Sequence, residues 1–177
     1  MSLSNRAKKI KAIFLDVDGV LTDGRMGYDN CGNEIKFYHT RDGHGIKLAV
    51  RSGLIVGILS GRECEANRRR AKELGLTFCR EKCHDKGEGF KELAKEFNLE
   101  YDECLYIGDD VIDIPPMRLA GIAAAVADCD ELVADVADIV TKNRGGFGAV
   151  REVINWLLKE QGTYTEVLID KYLKSEL

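Results

Sequence analysis

The chain carries at residues 12–20 the stretch AIFLDVDGV, in which four consecutive apolar residues lead directly into Asp16-Val17-Asp18-Gly19. A short, wholly apolar run of this kind is typical of a strand that is buried on both faces of a sheet. We predict strands at 12–15, 54–59, 104–107, 122–126 and 138–140, and helices near 43–51, 63–74, 86–97, 111–120 and 130–136. Strands that alternate with single helices predict a parallel sheet with helices on both faces. The predicted fold class is therefore α/β, with a doubly wound parallel sheet.

Two segments depart from this alternation. Residues 24–41 contain the turn signal Asp29-Asn30-Cys31-Gly32 between alternating polar and apolar positions, which predicts a β-hairpin inserted after the first strand. Residues 163–177 carry several apolar side chains and predict either a short helix on the same domain or a segment that docks on a neighbouring subunit. We expect one domain over residues 1–162, followed by this tail.

Composition narrows the class of protein. The 177 residues include 26 Lys and Arg against 30 Asp and Glu, for a net charge of −4, and 45% of them are apolar. That length and apolar fraction fit one globular domain. The negative charge argues against nucleic acid or an anionic membrane as a partner. With no apolar run long enough for a signal peptide or a membrane span, we expect a cytoplasmic protein whose six cysteines are free thiols.

Polar side chains follow the predicted strands at several of their ends. Because the carboxyl ends of parallel strands share one edge of a doubly wound sheet, we expect these side chains to converge there. They are Asp16 and Asp18 after the first strand, Ser60 and Gly61 after the second, Lys86 at the start of a helix, and Asp109, Asp110 and Asp113 after the strand at 104–107.

This set of residues indicates metal-assisted phosphate chemistry. Several carboxylates at one edge are unfavourable unless a cation lies among them, and oxygen ligands alone favour Mg²⁺ over Zn²⁺. The Ser60-Gly61 turn offers a hydroxyl and an N–H to phosphoryl oxygens, and Lys86 offers an ammonium group. Asp16 and Asp18, two residues apart on an extended strand, point the same way, and one of them can attack phosphorus.

In this order, the motifs resemble those of the haloacid dehalogenase superfamily of phosphohydrolases. The stretches DVDGVLTDG, YHTRDGHGIKLA, ILSGR, YIGDDVIDIPPM and RGGFGAVREV further resemble the family of phosphatases that act on 3-deoxy-D-manno-octulosonate 8-phosphate, an eight-carbon keto-sugar acid phosphate. The similarity spans about residues 10–160.

The resemblance implies a role for each acid. Asp16 would be the nucleophile that forms an aspartyl-phosphate, and Asp18 would protonate the leaving oxygen and then deprotonate water. Mg²⁺ would bind the Asp16 carboxylate, the Asp18 backbone carbonyl and Asp109. Asp110 and Asp113 would support the metal waters and Lys86 from behind.

The same resemblance implies that Ser60, Gly61 and Lys86 hold the phosphoryl oxygens. It also implies a small hairpin in place of a large cap domain, and a homotetramer in which a neighbour helps to close the site. For the carboxylate of a keto-sugar acid, Arg62 and Arg70 are the candidate ligands, with Arg144 a weaker third. Arginine at position 62 favours the eight-carbon substrate, because relatives that act on nine-carbon substrates tend to carry Glu there.

Other interpretations stay open at this point. They are a phosphatase for a nine-carbon keto-sugar acid phosphate or another small sugar phosphate, a sugar-phosphate-binding module without turnover, a phosphorelay receiver domain, and a zinc site at Cys79, Cys83 and His84 with Cys64. The receiver is disfavoured because its phosphoacceptor comes after its acid pair, whereas in this chain the candidate phosphoacceptor, in Asp-x-Asp, precedes the other motif residues. Pro115-Pro116 is a departure that would shift Asp113 if the helix started late.

Overall fold

Apolar strands and amphipathic helices alternate along the computed structural model of the chain, which describes residues 1–168. In chain order the elements are α1 (Leu3–Ala7), β1 (Ala12–Leu15), β2 (Gly27–Tyr28), β3 (Glu34–Ile35), α2 (Thr40–Arg51), β4 (Ile55–Leu59), α3 (Glu65–Leu74), β5 (Phe78–Arg80), α4 (Lys86–Glu96), β6 (Cys104–Gly108), α5 (Ile114–Leu119), β7 (Ile122–Ala125), α6 (Glu131–Val136), β8 (Ile139–Val140), α7 (Ala149–Glu160) and α8 (Tyr164–Leu168).

Six strands form one parallel sheet in the order β5-β4-β1-β6-β7-β8. The chain winds outward from β1 in one direction through β4 and β5, and in the other through β6, β7 and β8. This is a doubly wound sheet whose strand order reverses at β1, and such sheets bind ligands beside the reversal point, at the carboxyl ends of the strands. The predicted fold class is confirmed.

The core lies in two layers, one on each face of the sheet. Successive residues of β1 point to opposite faces, so that Ile13 and Leu15 pack with α2, α3 and α7, and Ala12 and Phe14 pack with α4, α5 and α6. All four are wholly buried, which explains why the strand is apolar throughout.

The structure differs from the predicted alternation at a few places. The edge strand β5 was not predicted, because it has only three residues and all of them are half-buried. Helices α1 and α7 also lie outside the predicted set. The predicted helix at 111–120 is instead a 3₁₀ turn at Val111–Asp113 followed by α5.

The predicted hairpin is confirmed as the antiparallel pair β2–β3, in which Gly27 pairs with Ile35 and Tyr28 with Glu34. The predicted range 24–41 runs into helix α2, which begins at Thr40. In the tail, α8 packs against the core through Tyr164, Val167 and Leu168. Residues 169–177 of the predicted tail lie outside the described residues.

Within residues 1–168, no helix is both long and apolar enough to traverse a bilayer.

Candidate active site

Asp16 and Lys86 form the centre of the site. Asp16 follows β1, and its N–H donates to the Ile107 carbonyl of β6 at 3.1 Å. Lys86 is the first residue of α4, and its Nζ lies 2.7 Å from Asp16 Oδ1 and 2.6 Å from Asp113 Oδ1. All three charged side chains are almost completely buried. The two carboxylates compensate the Lys86 charge, because a buried ammonium group without partners would cost several kcal/mol.

Asp113 fixes this centre through hydrogen bonds to both of its oxygens. Oδ1 also accepts a hydrogen bond from the buried Tyr106 hydroxyl at 2.7 Å. Oδ2 accepts from the backbone N–H groups of Asp109 at 3.0 Å and Asp110 at 3.3 Å. Burial would lower the pKa of Lys86, but the charges of Asp16 and Asp113 outweigh it and hold that pKa above its ordinary value. Lys86 therefore stays protonated.

The two prolines after Asp113 do not displace it. Pro115 and Pro116 lie in the first turn of α5, where helix N–H groups have no partner in any case. Asp113 closes the preceding 3₁₀ turn and is wholly buried. The shift that we considered for this position is absent.

Asp109 differs from Asp113, whose two oxygens both accept hydrogen bonds. Asp109 Oδ1 is buried and has no hydrogen-bond partner among residues 1–168. Carboxylate oxygens of Asp16, Asp109 and Asp113 lie within 4.8 Å of one another. Burial, followed by repulsion from neighbouring acids, raises the pKa of Asp109 to about 8 and that of Asp16 to about 6. Three carboxyl groups thus face one ammonium group, an arrangement that a divalent cation would complete.

The loop after β1 fits this site through close backbone contacts. Thr22 Oγ1 donates to the Val17 carbonyl at 3.3 Å, which closes the turn. Gly19 has a φ of +94°, and a Cβ on it would overlap the Asp109 carboxylate. The Gly146 N–H donates to the Val20 carbonyl at 3.0 Å, so the loop before α7 supports the loop that carries the acids.

Asp18 points to a separate group of charges. Its Oδ1 pairs with Lys36 Nζ from the segment just after β3, and its Oδ2 lies 4.0 Å from Arg62 Nε. Glu34 bridges the two cations, since it pairs with Arg62 and its Oε2 lies 3.8 Å from Lys36 Nζ. Only 2% of the Lys36 side chain is exposed. The hairpin therefore delivers a buried cation to one of the two acids of the DxD motif.

The remaining predicted residues lie at the same edge. Ser60 follows β4, the neighbour of β1, and its buried Oγ accepts the Arg62 N–H at 3.2 Å; Gly61 comes next. Asp110 is exposed, and its Oδ1 accepts the Val111 N–H at 2.7 Å, which caps the 3₁₀ turn. The strand ends thus bring the predicted residues to one edge of the sheet.

Comparison with known proteins identifies the family to which the chain belongs. Residues 79–154 match the model of the haloacid dehalogenase-like hydrolases. The chain is 40% identical over 161 residues to the 3-deoxy-D-manno-octulosonate 8-phosphate phosphatase KdsC of Escherichia coli K12, covering 91% of this chain and 86% of that protein. The chain belongs to the 3-deoxy-D-manno-octulosonate 8-phosphate phosphatase family.

Solved structures of the family agree in fold. The phosphatase of Moraxella catarrhalis, in complex with magnesium, phosphate and 3-deoxy-D-manno-octulosonate (KDO), superimposes with a TM-score of 0.90 at 36% identity, covering 98% of this chain and 97% of that one. The cobalt-bound Haemophilus influenzae phosphatase gives 0.89 at 36% identity, covering 96% and 97%.

Of the arginines that we predicted as carboxylate ligands in this family member, Arg62 lies next to Asp18, as described above. Arg70 is mostly buried, lies over the Tyr38 ring at 5.5 Å and pairs with Glu73 at 3.0 Å. It lines a cleft of about 420 Å³ between the hairpin and α3, to which Lys36 also contributes. Arg144 pairs instead with Asp128 at 3.1 Å and is largely exposed.

The zinc alternative finds no support in the geometry. All six cysteines are free thiols, and burial raises the pKa of Cys79 to about 11. Cys83 Sγ donates to the Asp85 carbonyl at 3.1 Å. Within residues 1–168, the cluster of candidate metal ligands is the aspartate group, and neither of these cysteines nor His84 belongs to it.

Sequence reasoning missed three residues of the site. Tyr106 lay inside a predicted strand, where a hydroxyl among apolar residues could have indicated a buried partner. Lys36 and Glu34 lay in the predicted hairpin, but nothing local indicates that this hairpin folds back over Asp18. Their role depends on tertiary contacts alone.

Proposed function

We propose that this protein is a Mg²⁺-dependent phosphomonoesterase that hydrolyses 3-deoxy-D-manno-octulosonate 8-phosphate to the free sugar acid and phosphate, a step in the synthesis of lipopolysaccharide precursors. The observation that carries the proposal is the buried Asp16–Lys86–Asp113 centre beside Asp109 Oδ1, which has no partner within residues 1–168, in a chain of this family. A sugar-phosphate-binding module without turnover would not need a buried nucleophile beside a buried cation.

Asp16 is the proposed nucleophile. Its Oδ1 is held by Lys86, which leaves Oδ2 to attack phosphorus in line with the leaving oxygen. The phosphorus–oxygen bond to the sugar breaks as Asp18 gives its proton to that oxygen. The products of this step are the sugar alcohol and an aspartyl-phosphate.

Hydrolysis then reverses the role of Asp18. As a carboxylate it takes a proton from water, the resulting hydroxide attacks phosphorus, and the bond to Asp16 breaks to release phosphate. Lys86, together with the Ser60 hydroxyl and the Gly61 N–H, stabilises the charge on the phosphoryl oxygens in both steps. Asp113 keeps Lys86 in place, since both of its oxygens are already occupied.

The residues fit a magnesium ion. The donors are oxygens only, the Asp109 Oδ1 lacks a partner among residues 1–168, and burial followed by repulsion between the acids raises the pKa values of Asp16 and Asp109. We assign the ion to the carboxylates of Asp16 and Asp109 and the Asp18 backbone carbonyl, with Asp110 supporting its waters. When bound, it neutralises charge on the phosphoryl group.

A keto-sugar acid phosphate is favoured by the arginines near the acids, and the eight-carbon compound by the 40% identity to KdsC. Arg62 lies beside Asp18, and Arg70 lines the adjacent cleft, so that either can bind the substrate carboxylate. A nine-carbon keto-sugar acid phosphate is the alternative substrate. We further propose a cytoplasmic homotetramer, with residues 1–162 as one domain.

The test is phosphate release with Mg²⁺ across a panel of sugar phosphates that includes eight- and nine-carbon keto-sugar acid phosphates. We expect kcat/KM to favour the eight-carbon compound by about 100-fold or more, which corresponds to about 2.7 kcal/mol. Arg62→Glu should weaken that substrate more than it weakens an aryl phosphate. A flat, slow profile would refute the substrate, and binding without phosphate release would refute the enzyme.

A further inference from the structure

The hairpin carries a buried lysine that no step above uses. Lys36 follows β3 directly, and its side chain is 2% exposed although hairpin residues on either side of it, Ile35 and Phe37, are exposed. A lysine with a solvated alternative is seldom buried, because withdrawing its ammonium group from water is costly. Its surroundings must therefore compensate the charge.

Two carboxylates supply that compensation. Lys36 Nζ pairs with Asp18 Oδ1 and lies 3.8 Å from Glu34 Oε2. Glu34 is itself held by Arg62, and these contacts keep its pKa below the ordinary value despite the opposing effect of burial. The four side chains Asp18, Glu34, Lys36 and Arg62 thus carry two negative and two positive charges, and Glu34 adds a carboxylate charge beside the lysine without a hydrogen bond to it.

The ion pair between Lys36 and Asp18 Oδ1 leaves the two oxygens of Asp18 with different roles. A carboxyl group can accept a hydrogen bond at one oxygen while it carries or receives a proton at the other. Lys36 pairs with Oδ1, whereas Arg62 Nε lies 4.0 Å from Oδ2. Oδ2 is therefore the oxygen available for proton exchange.

We propose that Lys36 is a positioning residue for the acid of the reaction: buried in the hairpin, it holds Asp18 by Oδ1 so that Oδ2 exchanges the proton with the leaving oxygen. This role rests on the proposed function, since it needs a leaving group that requires a proton. The hairpin then contributes to the chemistry itself, in addition to covering the site.

The leaving group supplies a readout that a merely structural lysine would not affect. A sugar alkoxide must be protonated as it departs, whereas p-nitrophenolate leaves without a proton. A variant with a badly positioned acid should lose activity on the sugar phosphate and keep more of it on p-nitrophenyl phosphate. The ratio of the two kcat values, each measured at a saturating substrate concentration, excludes changes in substrate binding, including binding of the sugar carboxylate.

The experiment measures this ratio, with Mg²⁺, for the wild type, Lys36→Met and Lys36→Arg. We expect Lys36→Met to lower the ratio by about 10- to 100-fold, part of the typical contribution of a general acid. Lys36→Arg, which keeps the charge, should recover most of that loss. The matched control is Lys91→Met on the outer face of α4, which removes an exposed lysine paired with Glu88 at 2.7 Å and should leave the ratio unchanged.

Glu34→Gln keeps the test decisive if Lys36→Met fails to fold by thermal unfolding. It leaves Lys36 in place but removes the carboxylate charge beside it, and a fall of about 3- to 10-fold in the ratio is expected. Equal losses on both substrates, or no loss in either variant, would overturn the role of Lys36 and leave the proposed function standing. A wild type that releases no phosphate from either substrate would overturn both.

Discussion

The acidic centre at the sheet edge and Asp42 between two helices are both acidic sites inside the protein, and they differ in how their oxygens are satisfied. Asp42, in the first turn of α2, accepts the Arg151 N–H at 2.7 Å and the Gly148 N–H at 3.1 Å, one on each oxygen. These are N–H groups at the start of α7, where a helix lacks internal acceptors. The carboxylate therefore joins two helices and has no oxygen to spare.

The acids at the sheet edge are less completely paired than Asp42. Asp109 Oδ1 has no partner among residues 1–168, and it faces Asp16 and Asp113 across a space that holds one ammonium group. A buried polar group that is satisfied stabilises the fold, whereas one that is left without a partner costs free energy until a ligand arrives. The pairing of buried acids, more than their burial, therefore separates the structural site from the functional one.

The largest expected effect is on catalysis. Asp16→Asn should lower kcat for phosphate release by at least about 10³-fold, because it removes the attacking oxygen. The unfolding temperature should not fall, since one of three crowded carboxylates is gone while Asp113 still pairs with Lys86. Activity assays with Mg²⁺ and thermal unfolding on the same sample check both. Substantial residual turnover would contradict the assignment of the nucleophile.

The same substitution at the other site should have the opposite outcome. Asp42→Asn places an amide donor against one of two N–H donors, which should cost about 2 kcal/mol and lower the unfolding temperature by about 4–8 °C in a domain of this size. The kcat of the folded variant should remain within a few-fold of the wild type. Loss of turnover without loss of stability would mean that Asp42 belongs to the catalytic machinery.

The sequence predicts the part of this comparison that is local. An apolar run that leads into Asp16 and Asp18, and another that leads into Asp109, place acids at strand ends by the logic of a parallel sheet, and the structure agrees. Strand β5 was missed because three half-buried residues carry too little pattern.

The sequence alone did not predict which residue pairs with each acid. Whether a carboxylate is satisfied depends on residues distant in the chain: Arg151 for Asp42, and Lys36 for Asp18. Nothing in the residues around Asp42 distinguishes it from the functional acids. Hydrogen-bond partners supplied by tertiary contacts decide that difference.

The smallest expected effect concerns pH in the protein without metal. The pKa values of about 6 for Asp16 and about 8 for Asp109 lie above the ordinary carboxyl value near 4, so the folded chain binds protons more tightly than the unfolded chain. The free energy of unfolding should therefore fall as pH rises from about 4 to about 8, and level off above that. Thermal unfolding in EDTA across this range measures the slope.

Burial raises the pKa of Asp42 as well, so the slope alone does not show which acids cause the pH dependence. The response of the unfolding temperature to magnesium distinguishes them. If the decline arises at the sheet edge, the ion should restore about 2–4 °C of unfolding temperature at pH 8 and little at pH 5, where protons already occupy the carboxylates. Asp109→Asn should abolish this response, whereas Asp42→Asn should retain it. A magnesium response that is equal at both pH values, or that survives in Asp109→Asn, would mean that the unpartnered oxygen is not where the ion binds.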